Sequence, residues 1–155
     1  MHLRIHAGNV CYTLIELTKL IVEPTILYVD DDLSSLSGRE ALLKMRKYNV
    51  LITTSGRQGL ALFTSLPVDA VILDYEMPEM NGDVLAAKMK ESRPEVPIML
   101  LSAHDTLPQG ALQKVDVFIS KGEPPMRFVA AVNELVRCGD FFSRCLRGWK
   151  HHAAA

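Results

Sequence analysis

Between residues 24 and 137 the chain alternates short apolar runs with segments of helical periodicity, five times over. No other feature restricts the fold as strongly. The runs are 25–29, 50–54, 69–73, 97–101 and 117–120. They are rich in Val, Ile and Leu and carry almost no internal polar residue, the pattern of strands covered on both faces. Between them, 33–48, 57–65 and 83–92 place apolar residues at helical spacing, with Leu60 beside Phe63 and Leu85 beside Met89. The Pro124-Pro125 pair opens a last helix that turns Phe128, Val132 and Leu135 toward a core. The stretch 104–114 is expected to be a short or irregular helix, because Pro108 and Gly110 fall inside it. Strictly alternating elements of this kind predict an α/β fold, a parallel sheet with helices on both faces.

Composition narrows the function. The 155 residues carry 17 basic and 18 acidic side chains, a net charge of −1, so the molecule has no overall field to attract nucleic acid. Three cysteines, Cys11, Cys138 and Cys145, are too few and too scattered for a disulfide framework or a zinc site. The most apolar N-terminal stretch, 10–22, is broken by Glu16 and Lys19, so no membrane span or signal peptide is expected and the cytoplasm is the default location. There is no Gly-rich phosphate loop, no dinucleotide fingerprint and no nucleophile elbow.

The ends read differently from the middle. Residues 1–23 form an N-terminal extension with Leu14, Leu17 and Ile21 at helical spacing. It reads equally as an amphipathic helix that docks or dimerises and as a leader outside the fold. Residues 138–155 form a tail with Phe141, Phe142, Leu146 and Trp149. From Arg127 onward the chain has five basic residues against two acidic ones, so this end is locally basic. It reads as an extension of the last helix with an aromatic contact surface, or as a solvated tail. The two ends together offer surfaces for a homodimer.

The polar residues of the strands gather at their carboxyl ends, where parallel sheets bind their ligands. The first strand ends in Asp30, Asp31 and Asp32, the third in Asp74, the fourth in Ser102 and the fifth in Lys121. Carboxylates brought this close repel unless a cation joins them, and their hard oxygens suit Mg²⁺. A carboxylate beside such a cation can attack phosphorus and become an acyl phosphate. An ammonium and a hydroxyl nearby would hold the transferred group. One aspartate after a strand is ordinarily a helix cap; a set of them at successive strand ends is not.

Three separated motifs carry a resemblance: Ile26-Leu27-Tyr28-Val29-Asp30-Asp31-Asp32, the run from Val71 through Asp74 to Met77-Pro78 and Asn81-Gly82, and Phe118-Ile119-Ser120-Lys121. In this order and spacing they resemble the receiver domains of bacterial two-component response regulators, over a receiver domain at residues 24–137. The resemblance implies a flavodoxin-like, doubly wound five-stranded sheet of order 2-1-3-4-5. It implies that Asp74 accepts a phosphoryl group from a sensor histidine kinase or phosphotransfer protein. Mg²⁺ would be bound by Asp30, Asp31, Asp74 and the backbone carbonyl of Glu76, with Asp31 the more direct of the acidic pair and Asp32 outside the set. It makes Ser102 the switch hydroxyl, Lys121 the phosphate-binding lysine and Phe118 the switch aromatic. Glu76 and His104, two residues beyond Asp74 and Ser102, fall where they could tune dephosphorylation, although His104 reads equally as an ordinary surface residue.

Two features depart from the family pattern. The family usually has a cis Lys-Pro bond, and here the pair is Lys121-Gly122; without proline a cis bond costs about 2.5–4 kcal/mol. The fourth helix is also weakened, which suggests a disorder-to-order switch on that face. The expected role is a phosphorylation-dependent signalling switch, with at most weak autophosphatase activity and a protein as its downstream target. The rival reading is a pseudo-receiver, a docking module that is never phosphorylated. A small aspartyl phosphatase is disfavoured because no Asp-x-Asp pair surrounds Asp74.

Overall fold

The computed structural model describes the backbone of residues 4–7, 10–13 and 23–150 and the side chains of residues 23–137. Two short strands, β1 (Arg4–Ala7) and β2 (Val10–Thr13), pair antiparallel, with Arg4 opposite Thr13. The helical periodicity expected at Leu14, Leu17 and Ile21 lies outside the described residues.

Five further strands build the main sheet: β3 (Thr25–Val29), β4 (Asn49–Thr53), β5 (Ala70–Asp74), β6 (Ile98–Ser102) and β7 (Val117–Ser120). All pair in parallel, in the order β4-β3-β5-β6-β7. Counted along this sheet alone the order is 2-1-3-4-5, as the resemblance implies. The reversal of strand order between β3 and β5 opens a crevice at their carboxyl ends.

Among the described residues four helices cover the sheet: α1 (Leu33–Met45), α2 (Gly56–Ser65), α3 (Gly82–Ser92) and α4 (Pro125–Lys150). Although the strands read as continuous apolar runs, successive side chains still point to opposite faces. Ile26, Tyr28, Ile72 and Leu101 pack with Leu36 and Leu43 of α1 and Phe128 and Val132 of α4. Leu27, Val29, Leu73 and Leu100 pack with Phe63 of α2 and Leu85 and Met89 of α3. The sheet therefore separates two cores, and each helix pair seals one of them.

The helix boundaries follow from local chemistry. Asp32 caps α1, its carboxylate accepting the Ser34 amide, and Ser55 caps α2 by accepting the Gln58 amide. Helix α1 ends at Met45, three residues short of the periodicity, where Lys47 takes a left-handed conformation at φ 61° and the Tyr48 amide turns back to the Leu43 carbonyl. Pro125 begins α4, where its missing N–H costs nothing. That helix then runs unbroken through Arg137 to Lys150. The expected aromatic contacts of Phe141, Phe142, Leu146 and Trp149 lie outside the described side chains.

The expected fourth helix is not there. Residues 103–116 form a string of turns, with amides of Ala111, Gln113 and Val115 bonded three residues back to Pro108, Gly110 and Leu112. Pro108 has no amide to give, and Gly110 sits at φ 97°, which no right-handed helix allows. The two residues that weaken the helical pattern abolish it.

Candidate functional site

Parallel pairing brings the strand ends together. Asp74 closes β5 opposite Leu101, and Ser102 closes β6 opposite Ser120. Asp30 follows β3, its amide bonded to the Thr53 carbonyl at 3.2 Å. Asp30, Asp74 and Ser102 are all buried, which is unusual for the two carboxylates above all and a sign that these polar groups are held by partners.

Lys121 supplies the main one. Its ammonium lies 3.0 Å from Asp30 Oδ2 and 2.9 Å from Asp74 Oδ1, joining the carboxylates from the far side of the cleft. The Lys121-Gly122 bond is trans, as is every peptide bond among the described residues, and the side chain reaches the cleft all the same. Burial pulls the Lys121 ammonium toward lower pKa. Hydrogen bonds to Asp74 and Asp30 outweigh that pull, so its pKa is raised and the charge is kept. For Asp74 the balance is reversed. Burial, with the neighbouring Asp30 charge, raises its carboxyl to about 6 against the downward pull of Lys121.

Asp30 is the most heavily satisfied group in the cleft. Its Oδ2 accepts from the Tyr28 hydroxyl at 3.1 Å, the Ser35 hydroxyl at 3.0 Å and Lys121, and its Oδ1 accepts from the Asp32 amide at 3.0 Å. Burial first, then the Asp30 charge, push the Tyr28 phenol far above its ordinary range, so it remains a neutral donor. Tyr28 and Ser35 are not among the expected site residues. A signal for both exists: Tyr28 lies two residues before Asp30 on the same strand face, and Ser35 sits in the first turn of the helix that follows.

The acidic cluster suits a hard cation. One carboxylate oxygen from each of Asp30, Asp31 and Asp74 lies within 4.8 Å of the other two, with Asp31 exposed toward solvent. Asp32 stands outside the cluster. Its carboxylate accepts the Ser34 hydroxyl at 2.7 Å and the Ser34 amide at 3.0 Å, and these bonds lower its pKa. The cluster's all-oxygen character and incomplete donor set match Mg²⁺, which keeps several waters.

The remaining expected residues surround this centre. Ser102 Oγ accepts the His104 amide at 3.0 Å. Phe118 is half-buried against the core beneath α2 and α3, as are Leu107 and Val115. Glu76 and His104 meet at 3.3 Å on the surface, both exposed. After Asp74 the chain turns so tightly that the Gly82 amide bonds the Tyr75 carbonyl at 2.8 Å. A Cβ at Gly82 would lie 2.2 Å from the Asp74 carbonyl oxygen, so only glycine fits there.

Comparison with known proteins supports the fold and gives a family. Residues 26–133 match the family model described as the response regulator receiver domain. The chain is 30% identical to the response regulator SaeR of Staphylococcus aureus over 115 residues, which are 72% of this chain and 50% of SaeR. It is 35% identical over 82 residues to the transcriptional regulatory protein ZraR of Escherichia coli, covering 53% of this chain and 19% of ZraR. The chain thus spans half or less of the length of these relatives. Among solved structures it resembles the response regulator protein TrrA of Thermotoga maritima, in complex with Mg²⁺ and BeF, at TM-score 0.69 and 26% identity over 72% of this chain and 98% of that one. A CheY-like receiver domain protein from Methanospirillum hungatei shares the fold, with TM-score 0.72 and 24% identity over 76% of this chain and 97% of that one. The family match covers more than half of the chain and reaches all five strands of the main sheet, and the chain belongs to the response regulator receiver domain family, the phosphorylation-based signalling modules of two-component systems.

Proposed function

We propose that this protein is a signalling switch that takes a phosphoryl group onto Asp74 and changes its protein-contact face in response. The observation that carries this reading is the Lys121 ammonium, within 3.0 Å of both Asp30 and Asp74 in a cleft that also offers Asp31. An ammonium so placed can neutralise oxygens arriving on Asp74.

In the transfer, an Asp74 carboxylate oxygen attacks phosphorus while the P–N bond of a phosphohistidine breaks. The leaving imidazole keeps the bonding electrons, and the product is an aspartyl phosphate. Asp31, Asp74 and the Glu76 carbonyl would hold Mg²⁺, with Asp30 alongside; when bound it supplies positive charge to the phosphoryl oxygens. Lys121 meets the transferred group from the opposite side. Ser102, whose Oγ now accepts the His104 amide, moves toward the group and donates its own O–H to it. The space it leaves admits Phe118, and the surface around β7 changes. The phosphorylated form is one the free protein already visits, and phosphate shifts the population. Glu76 and His104, paired at the mouth, set the rate at which water removes the phosphoryl group.

The donor is a sensor histidine kinase or a phosphotransfer protein in the cytoplasm, and the reader is a protein. No described helix is long and apolar enough to cross a membrane. A homodimer through the chain ends is compatible with this role.

Intact-protein mass spectrometry after incubation with Mg²⁺ and acetyl phosphate tests the reading. One labile phosphoryl group on the wild type and none on Asp74→Asn is the expected result. An unlabelled wild type, under conditions that label another receiver, would leave a docking module that is not phosphorylated.

A further inference from the structure

Lys121 enters the cleft from an exposed turn. Gly122, Glu123 and Pro124 that follow are all open to solvent, so the reach of the ammonium depends on what anchors the Lys121 backbone. Its amide is fixed to the sheet by the Ser102 carbonyl at 2.6 Å. Its carbonyl accepts from Arg39 Nη2 at 3.2 Å, across 82 residues of sequence. The other arm of the same guanidinium donates to Ser35 Oγ at 2.7 Å, and Ser35 in turn donates to Asp30 Oδ2 at 3.0 Å. Ser35 and Arg39 are four residues apart on α1 and share one face. Phe128 of α4 backs the guanidinium, its ring centre 5.6 Å from the Arg39 Cζ. One planar fork therefore touches both partners of the Lys121–Asp30 ion pair, the first through its own backbone and the second through a hydroxyl.

We infer that Arg39 is a positioning residue for phosphoryl binding: its guanidinium fork sets where the Lys121 ammonium stands and how Asp30 faces it. This rests on the function proposed above. A lysine ammonium is a compact point charge on a single nitrogen and lacks the planar fork whose two arms reach the Lys121 carbonyl and the Ser35 hydroxyl, so lysine is no substitute. A groove of about 510 Å³ between α1, the turn after β7 and the start of α4 leaves Arg39 on its wall. Substitution there removes donors without opening a hole in either core.

The test is a double-mutant cycle read by the affinity of the phosphoryl mimic beryllofluoride at saturating Mg²⁺, with the affinity for Mg²⁺ alone measured beside it. Arg39→Met, which keeps the stem over Phe128, is expected to weaken beryllofluoride binding about tenfold, the effect of one lost charge-assisted bond. Mg²⁺ binding should fall by less. In a Lys121→Met background the same substitution should cost nothing further, because Arg39 acts through Lys121. Arg39→Lys is expected to lose about as much as Arg39→Met, and it carries the same cycle should the methionine variant fail to fold. An undiminished beryllofluoride affinity, or equal losses with and without Lys121, would show Arg39 to be a simple pin between helix and turn. A wild type that binds no beryllofluoride and takes no phosphoryl group would overturn the proposed function and this inference together. Tight wild-type binding with unaffected variants sinks only the role of Arg39.

Discussion

On the β3 side of Asp74, one buried carboxylate is held by four donors from a strand, a loop amide, a helix and a lysine, and Arg39 ties the helix to the lysine's own backbone. On the β6 side, Ser102 Oγ accepts one amide, and the chain then runs through exposed turns for more than ten residues before it re-enters the sheet. Both flanks border the same aspartate. The first holds charge in fixed positions, as a phosphoryl site requires before its ligand arrives. The second is the one with room to respond afterwards. Local opening is easiest where buried apolar contacts are few and backbone groups face water, and that describes 103–116 and not α1.

The bluntest way to erase the contrast is to move the strand end that both flanks share. Gly82→Ala forces a Cβ against the Asp74 carbonyl, and a loss of about 3 kcal/mol or more is expected, read as a lower urea midpoint.

Acid acts on the same strand end. Asp74 titrates near 6 in the folded protein, against 3.8 for an ordinary aspartate. Labelling by acetyl phosphate should therefore fall about tenfold per pH unit below that point, with the midpoint moved down by Mg²⁺. The sign for stability is opposite. Because the folded state holds this proton more tightly than the unfolded chain does, Asp74 should make the metal-free protein less stable as pH rises from about 4 to about 6. Urea midpoints across that window, compared with Asp74→Asn, measure it.

A milder cut falls on the braced flank alone. Tyr28→Phe removes one donor from Asp30 and leaves Ser35 and Lys121 in place, so about 1 kcal/mol of stability should be lost in the same denaturation experiment.

The smallest effect on stability belongs to the open flank. His104→Ala breaks an exposed pair with Glu76 and should change stability by no more than about 0.5 kcal/mol, while the lifetime of the aspartyl phosphate changes measurably. Amide exchange should be faster across 103–116 than across α1, and phosphorylation should slow it. Equal exchange with and without phosphate would remove the ordering switch from the account.

The same contrast separates what a sequence displays from what it hides. All five strands of the main sheet and the ends that carry Asp30, Asp74, Ser102 and Lys121 are legible, because a run of Val, Ile and Leu that ends in a charged or hydroxyl residue fits a strand covered on both faces and little else. Helix ends are less so: α1 stops early because Lys47 takes a left-handed turn, which no periodicity reports. The helix at 104–114 is weak by its residues and absent from the fold, since propensity grades a segment and Pro108 with Gly110 decides it. The brace of Tyr28, Ser35 and Arg39 is hidden in a different way. Tyr28 and Ser35 are marked only by their spacing from Asp30, and Arg39 is an ordinary helix residue that meets Lys121 only through the turn after β7. The pairing of β1 with β2 falls at residues 4–13, ahead of the residues at helical spacing, in a stretch for which no element is expected.

The three clustered carboxylates and the lone ammonium also set a valence. Three negative groups and one positive leave the cleft two charges from neutral near pH 7. A single divalent ion would bring it to zero, which a sodium or potassium ion could not do, so charge alone would favour a divalent cation there. An aspartyl phosphate carries about one negative charge more than the aspartate it replaces. The balance that a divalent ion would restore would then be upset by phosphorylation, and the labelled cleft would be left with an anionic surplus. Any partner that recognises the phosphorylated form, or water that removes the group, meets a site whose charge has changed as well as its shape.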